Sequence, residues 1–215
     1  VHQCLRSPDP VGDVGEMMSE FIDEFSTDRS GWARFSTDGS GSSDSTMRYR
    51  LARCLVPGRS LTVSSQGKVM LQPLPMSSDL EEYAAKHPRR AVFLMLNPSV
   101  ANAFQIDPTV GRGIGFTRAW GCQVYEAANI DAFRSTDPRE LYKRACGQRG
   151  DDGINDKEIM TACVGAHVVI AGWGKHGNLD RRGDAVRSML REAGVVLYHL
   201  GLNKDGTPKH PAALW

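Results

Sequence analysis

A chain of 215 residues with 40% hydrophobic and 24% charged side chains has a globular composition and enough length to bury a substantial core without cross-links. No apolar run approaches the roughly 20 residues of a membrane-spanning helix, and five widely spaced cysteines without a Cys-x-x-Cys pair indicate neither a disulfide framework nor a zinc ribbon. The formal charge of +1 conceals two parts, because residues 1–45 hold three Arg against nine Asp and Glu while residues 46–215 carry 23 basic against 16 acidic side chains. The reading is an acidic extension, 1–45, joined to a basic α/β domain, 46–215, that attracts polyanions such as nucleic acid.

In chain order, "VGEMMSEFIDEF" spaces Met17, Met18, Phe21, Ile22 and Phe25 by three and four, which predicts a short acidic helix from about Val14 to Phe25. "STDRSGWARFSTDGSGSSDST" (26–46) is rich in Ser, Gly and Asp and reads as a linker. "MRYRLARCLVPG" and "SLTVSSQGKVMLQPL" alternate and break at turn residues, predicting two strands in a hairpin-like lead-in. "DLEEYAAKHP" predicts a short helix before Pro88, and "RAVFLML" a strand covered on both faces. Helices follow at "TVGRGIGFTRAWG", "DPRELYKRACG", "NDKEIMTACVG" and "GDAVRSMLREAG", with Asp137 and Asn155 as caps and Gly121 and Gly194 as stops. Strands are predicted at "QVYEAANI", "AHVVIAGW" and "VVLYHLGL". The alternation predicts a three-layer α/β/α sandwich around a central, mostly parallel four-stranded sheet.

Ligands of such sheets bind beyond the carboxyl ends of the strands. Those ends read Asn97-Pro98-Ser99, then Asn129 with Asp131, then Trp173-Gly174 with His176, and finally "NKDGTPKHPAAL" with His210. The set is rich in amides and imidazoles and poor in acids. It contains no phosphate loop and no Gly-x-Ser-x-Gly elbow, and "GRGIG" does not follow a strand as a dinucleotide fingerprint requires. Asn offers a donor and an acceptor side by side, matching a nucleobase edge, and His can stabilise charge on a departing base. Each residue also has an ordinary alternative: Asn97 before Pro98 caps turns, Asn129 satisfies loop backbone, His210 is exposed in a loop, and Trp173 packs. Asp107, Asp131 and Arg134 fall near the same ends, as a salt-bridge cluster or a catalytic carboxylate. His167 and His199 lie within strands and read as packing residues.

"FLMLNPS" resembles the first motif of the uracil-DNA glycosylase superfamily, especially its mismatch-specific and single-strand-selective branches. "VYEAANIDAF" is similar to its base-reading strand, "VVIAGWGKHG" to its LLWGxHA strand, and "KHPAAL" to its closing His-Pro-Ser motif. The four occur in the superfamily's order over Arg90 to Leu214. The chain departs from it at Met95-Leu96, where Gly precedes the Asn, at Ser99 in place of Gly, and at Ala212-Ala213 in place of Ser-Pro. Over about Met47 to Leu214 the chain also resembles a bacterial and phage family sharing MLNPS, DPT, WG.HG and KDG.P.HP, which brings no activity with it.

The resemblance implies a uracil-DNA glycosylase-like fold and a monofunctional DNA glycosylase acting on an extruded uracil, damaged base or phage-modified base. Asn97 would position the attacking water, Asn129 would bind the base, and His210 would stabilise the base leaving as an anion. By position, Phe104 would stack on the base and Ser99 would join base binding. Arg112, Lys204, Lys209 and Ser99 would contact phosphates, and Leu214 would wedge into the vacated stack. The expectations are no cofactor and no metal, DNA as partner, no membrane, a monomer and a cytoplasmic location, since the N-terminal residues lack a basic-then-apolar secretory pattern. Two alternatives stay open: an N-glycosidase or transferase on free nucleosides or nucleotides, and a modified-base-binding module without turnover.

Overall fold

The strand "RAVFLM" has no polar residue after its first, and every one of its six positions is buried. It is the strand on which the sheet is assembled in the computed structural model, which describes residues 21–37, 45–72, 78–145, 148–150 and 153–214. The strands are β1 (Phe21–Phe25), β2 (Gly31–Ser36), β3 (Arg48–Cys54), β4 (Leu61–Val63), β5 (Val69–Leu71), β6 (Arg90–Met95), β7 (Val124–Asn129), β8 (Val168–Ala171) and β9 (Leu197–His199). Seven form one mixed sheet in the order β1-β2-β3-β7-β6-β8-β9, and β4 and β5 form a separate hairpin. β7, β6, β8 and β9 run parallel. These are the four strands expected from the sequence. β3, β2 and β1 extend the sheet antiparallel from β7.

Helices α1 (Asp79–Lys86), α2 (Pro108–Ala119), α3 (Gly153–Cys163) and α4 (Arg182–Glu192) complete the mixed α/β fold. Side chains alternate along a strand with a period of two, so β6 divides between two cores. Ala91, Phe93 and Met95 pack with Val110 and Ile114 of α2, whereas Val92 and Leu94 pack with Ile159 of α3 and Val186 and Leu190 of α4. α2 therefore covers one face, and α3 and α4 the other.

The N-terminal expectations are corrected. Phe21–Phe25 is a strand, not the end of a helix; Val14 to Glu20 lie outside the described residues. The expected linker contains β2, whose Trp32 and Phe35 are fully buried. Two aromatic residues in a polar tract were enough, because β2 lies between β1 and β3 and takes its backbone partners from both. The expected lead-in hairpin is also divided. β3 joins the main sheet, and the following segment folds on itself as β4 and β5. "DPRELYK" forms a 3-10 helix, Pro138–Lys143, capped by Asp137 as expected. Asn155 does not cap α3, which begins at Gly153; its buried amide donates to the carbonyls of Asn129 and Ile130 at 3.0 and 3.1 Å. No described helix is long and apolar enough to cross a membrane.

Candidate functional site

The chain leaves β6 toward the α2 face, but leaves β7 and β8 toward the α3 and α4 face. Where neighbouring parallel strands send their loops to opposite faces, a crevice opens at their carboxyl ends. A cavity of about 500 Å³ occupies this place, within the range of small-ligand sites. Its wall combines Met95 to Asn97 and Ser99 after β6, Asp107 to Thr109 at the start of α2, Ser135, Thr136 and Pro138 after β7, Trp173 to His176 after β8, Asn203 and His210 after β9, and Arg48.

Asn97 is half-buried, and its amide nitrogen donates to the carbonyls of Ser135 (2.9 Å), Phe133 (3.3 Å) and Pro98 (3.3 Å). It ties the loop after β6 to the loop after β7, while its carbonyl oxygen accepts from no protein donor. The loop-holding reading of Asn97 is thus seen in its nitrogen, which binds three backbone carbonyls. Asp107 caps α2 by accepting from the Val110 N–H at 2.8 Å. The intervening loop is fixed from the antiparallel strands. Glu24 accepts from the Ala103 N–H, Arg53 donates to the carbonyls of Asn102 and Gln105, and Gly31 leaves the space in which the Ala103 carbonyl lies. A Cβ on Gly31 would fall 2.1 Å from that oxygen.

The segment bearing His210 is clamped from two sides. Arg112 donates to the carbonyls of Pro211 and Ala212 at 3.2 and 3.0 Å, and the Gly174 N–H donates to Pro208 at 3.0 Å. Pro211 packs on Gly172, where an added Cβ would lie 3.0 Å from the proline ring. His210 Nδ1 accepts from the Ala212 N–H at 3.2 Å, which places the proton of the neutral ring on Nε2. Burial lowers the His210 pKa below 6.5, with Asp107 opposing the shift. The ring is therefore a neutral Nε2–H donor at neutral pH.

Trp173 forms a wall of the cavity and is itself packed on Gly177 and Gly183, where added Cβ atoms would approach the indole to 2.0 and 2.8 Å. Gly177→Ala is expected to displace the indole and destabilise the fold by about 1–3 kcal/mol, read as a lowered thermal midpoint.

Arg48 comes to the cavity through a bulge. Arg34 pairs with Arg50 but Phe35 pairs with Arg48, so the register shifts at Tyr49. Simple alternation would put Arg48 and Arg50 on one face; the bulge turns Arg48 to the opposite one, as bulges near sites do. Arg48 is 1% exposed, donates to the Ala101 carbonyl, and has an Nε without a partner. Burial lowers its pKa to about 10, so it remains a cation at neutral pH.

The structure brings Asn97, Ser99 and His210 together, with Asp107, Trp173 and His176. Asn129 is not in the lining. It is fully buried on the strand position beside Met95, and both polar atoms of its side chain lack partners. Phe104 is 59% exposed and also outside the lining, as are Lys204, Lys209 and Leu214. Arg112 is directed at the chain's own carbonyls. Asp131 pairs with Arg149 at 3.7 Å and Arg134 donates to the Ser45 carbonyl, both shaping loops. The sequence reading missed Arg48, Thr136 and Asn203. Only the bulge could have identified Arg48, and "RYRLAR" carries no mark of it. Among the described residues no group of three or more His, Cys, Asp or Glu could hold a metal ion.

No curated protein and no solved structure matches this chain, so the resemblance to uracil-DNA glycosylases stands on the strand-end motifs alone. A family model does match, over residues 79–212, and that span runs from α1 to the segment of His210 and includes most of the cavity wall. The chain belongs to the family described as "Protein of unknown function (DUF1643)".

Proposed function

We propose that this chain is a DNA glycosylase that hydrolyses the N-glycosidic bond of an extruded uracil, damaged or modified base, on a uracil-DNA glycosylase-like three-layer fold. The observation that carries this reading is the convergence of Asn97 and His210, from opposite ends of the parallel sheet's chain order, on one cavity at the strand ends. In this reading the Asn97 oxygen and the Asp107 carboxylate orient a water toward C1′ of the sugar. A C1′–O bond forms as the C1′–N bond breaks, the electron pair leaves with the base, and the water's proton passes to Asp107. His210 Nε2–H donates to the base as negative charge develops. No covalent intermediate is required.

A second reading, hydrolysis of free nucleotides, is favoured by one observation. Phe104, Lys204, Lys209 and Leu214, the groups expected to engage a DNA strand, lie outside the cavity wall. Affinity for DNA that falls steeply with salt supports the first reading, and release of base from mononucleotides without DNA affinity supports the second.

The pH dependence has a defined sign. A histidine whose pKa is lowered on folding contributes stability fully above its unfolded value of 6.5, lost as pH falls through the lower folded value. Protonating Nδ1 also breaks its bond from Ala212. Base release is expected to show an acid limb below pH 6.5 that disappears in His210→Asn; an unchanged limb in that variant assigns it to another group.

A further inference from the structure

Of the six arginines buried among the described residues, four are paired with carboxylates. Arg50 and Arg90 contact Glu126, Arg149 contacts Asp180 at 3.0 Å, and Arg182 contacts Asp156 at 2.6 Å. Arg53 has no carboxylate but donates to three carbonyls, those of Ala52, Asn102 and Gln105. Arg48, 1% exposed, has one carbonyl, and among the described residues it has an unpartnered Nε and no carboxylate within 4.0 Å. Leaving a guanidinium buried and unpaired is costly, and such a charge is ordinarily matched by something. Asp107, in the same wall, favours the Arg48 charge from a distance, but one of its oxygens caps α2 and no ion pair within 4.0 Å forms. Arg48 contributes to the cavity wall.

The surroundings define the missing partner. Ser99, Thr109 and Thr136 line the same cavity, and their hydroxyls make no hydrogen bond among the described residues. The first turn of the twelve-residue helix α2 contributes Pro108 and Thr109 to the wall, its end already capped by Asp107. Lys175 adds a second cation at the wall. A guanidinium, three hydroxyls and the Lys175 ammonium outnumber the two oxygens of a carboxylate and suit a group with three acceptor oxygens.

We propose that Arg48 seats a phosphate-type oxyanion of the ligand that fills this cavity, either the terminal phosphate of a free nucleotide or a phosphodiester beside an extruded base. The proposal goes beyond the glycosidic reading and does not require it. The Tyr49 bulge is then the device that carries a cation from the β3 strand to the ligand.

Calorimetric titration of the full chain tests it. The probes are inorganic phosphate, the deoxynucleoside 5′-monophosphates, the matching deoxynucleosides, and a short single-stranded DNA with and without a 5′-phosphate. At least one monophosphate is expected to bind about tenfold more tightly than its nucleoside, a preference lost in Arg48→Met. Arg48→Met is expected to melt no lower than the parent, because it removes an unmatched buried charge; a cation with a purely structural role would make it melt lower. Arg48→Lys, which keeps the charge without the fork, is expected to retain part of the preference and serves if the methionine protein fails to fold. Tight binding of DNA irrespective of its 5′ end identifies a phosphodiester, and dependence on a terminal phosphate identifies a free nucleotide. Equal binding of nucleosides and monophosphates, a preference that survives Arg48→Met, or no binding by any phosphate-bearing probe overturns the proposal. None of these readings requires base release, so its absence does not bear on them.

Discussion

Glu126→Ala is expected to cost about 3–5 kcal/mol of stability, a large part of the roughly 5–15 kcal/mol typical of a folded domain. Glu126 is fully buried, and its two oxygens serve different arginines. One accepts from Arg50 Nε at 2.7 Å and from Arg50 Nη2, and the other accepts from Arg90 Nη1 at 2.6 Å. The network continues from Arg50 to Glu158 at 3.3 Å, from Glu158 to Arg34 at 3.1 Å, and from Arg34 to Asp23 at 2.8 Å. Three cations and three carboxylates thereby join β1, β2, β3, β7, β6 and α3. Removing Glu126 leaves Arg90 with only the carbonyls of Ala162 and Val164, and Arg50 with Glu158 and the Gly67 carbonyl. The penalty is mainly that of stranding two buried charges, not the net worth of the bridges. Glu126→Gln, which preserves shape and one of the two acceptor oxygens, is expected to lose less. Urea unfolding checks the order, with a lowered midpoint at constant m-value for both variants. Equal stability of Glu126→Ala and the parent contradicts it.

Asn97→Ala is expected to reduce base release by a factor on the order of 10²–10³, the usual loss when one positioned polar group at a reacting centre is removed. The structure adds a second consequence. Because the Asn97 amide nitrogen donates to three backbone carbonyls, alanine also frees the loop from Phe133 to Ser135. Asn97→Asp separates the two effects. It keeps an oxygen toward the cavity but sets a carboxylate against those carbonyls, so it is expected to destabilise more than alanine. A smaller loss of activity but a larger loss of thermal midpoint in Asn97→Asp than in Asn97→Ala is the expected pattern.

How much of this was legible in the sequence follows from how local each signal is. β6 and β8 are visible because a strand buried on both faces is a nearly uninterrupted apolar run. α2 and α4 are visible because Gly121 and Gly194 adopt positive φ at their ends. β1 misled because "FIDEF" in its context fits a 3.6-residue spacing, and only pairing with β2 makes it a strand. β2 misled because Ser, Gly and Asp dominate around Trp32 and Phe35, and nothing local reveals that those two rings are fully buried. The six-membered ion network was invisible for a similar reason. Its members are scattered from Asp23 to Glu158, and an arginine in sequence reads as surface.

The same division holds at the site. The place of Asn97, Ser99 and His210 in the cavity wall is legible because strand ends can be located and crevices in such sheets open there. Asn129 ends its strand too, but it is buried beside Met95 and does not reach the wall. Lys204, Lys209 and Leu214 were assigned by position in a loop, and loop position does not fix a side chain's direction. Arg48 depended on a one-residue irregularity of pairing.

Base release is the measurement that tests the central claim most directly. Oligonucleotides carrying uracil, deaminated purines, or hydroxymethylated and glucosylated pyrimidines are incubated with the parent protein, Asn97→Ala and His210→Ala, and the freed base is identified by chromatography. Release of one base by the parent, lost in both variants while both remain folded, is the expected result. No release from any substrate, or release undiminished in both variants, contradicts a glycosylase centred on Asn97 and His210.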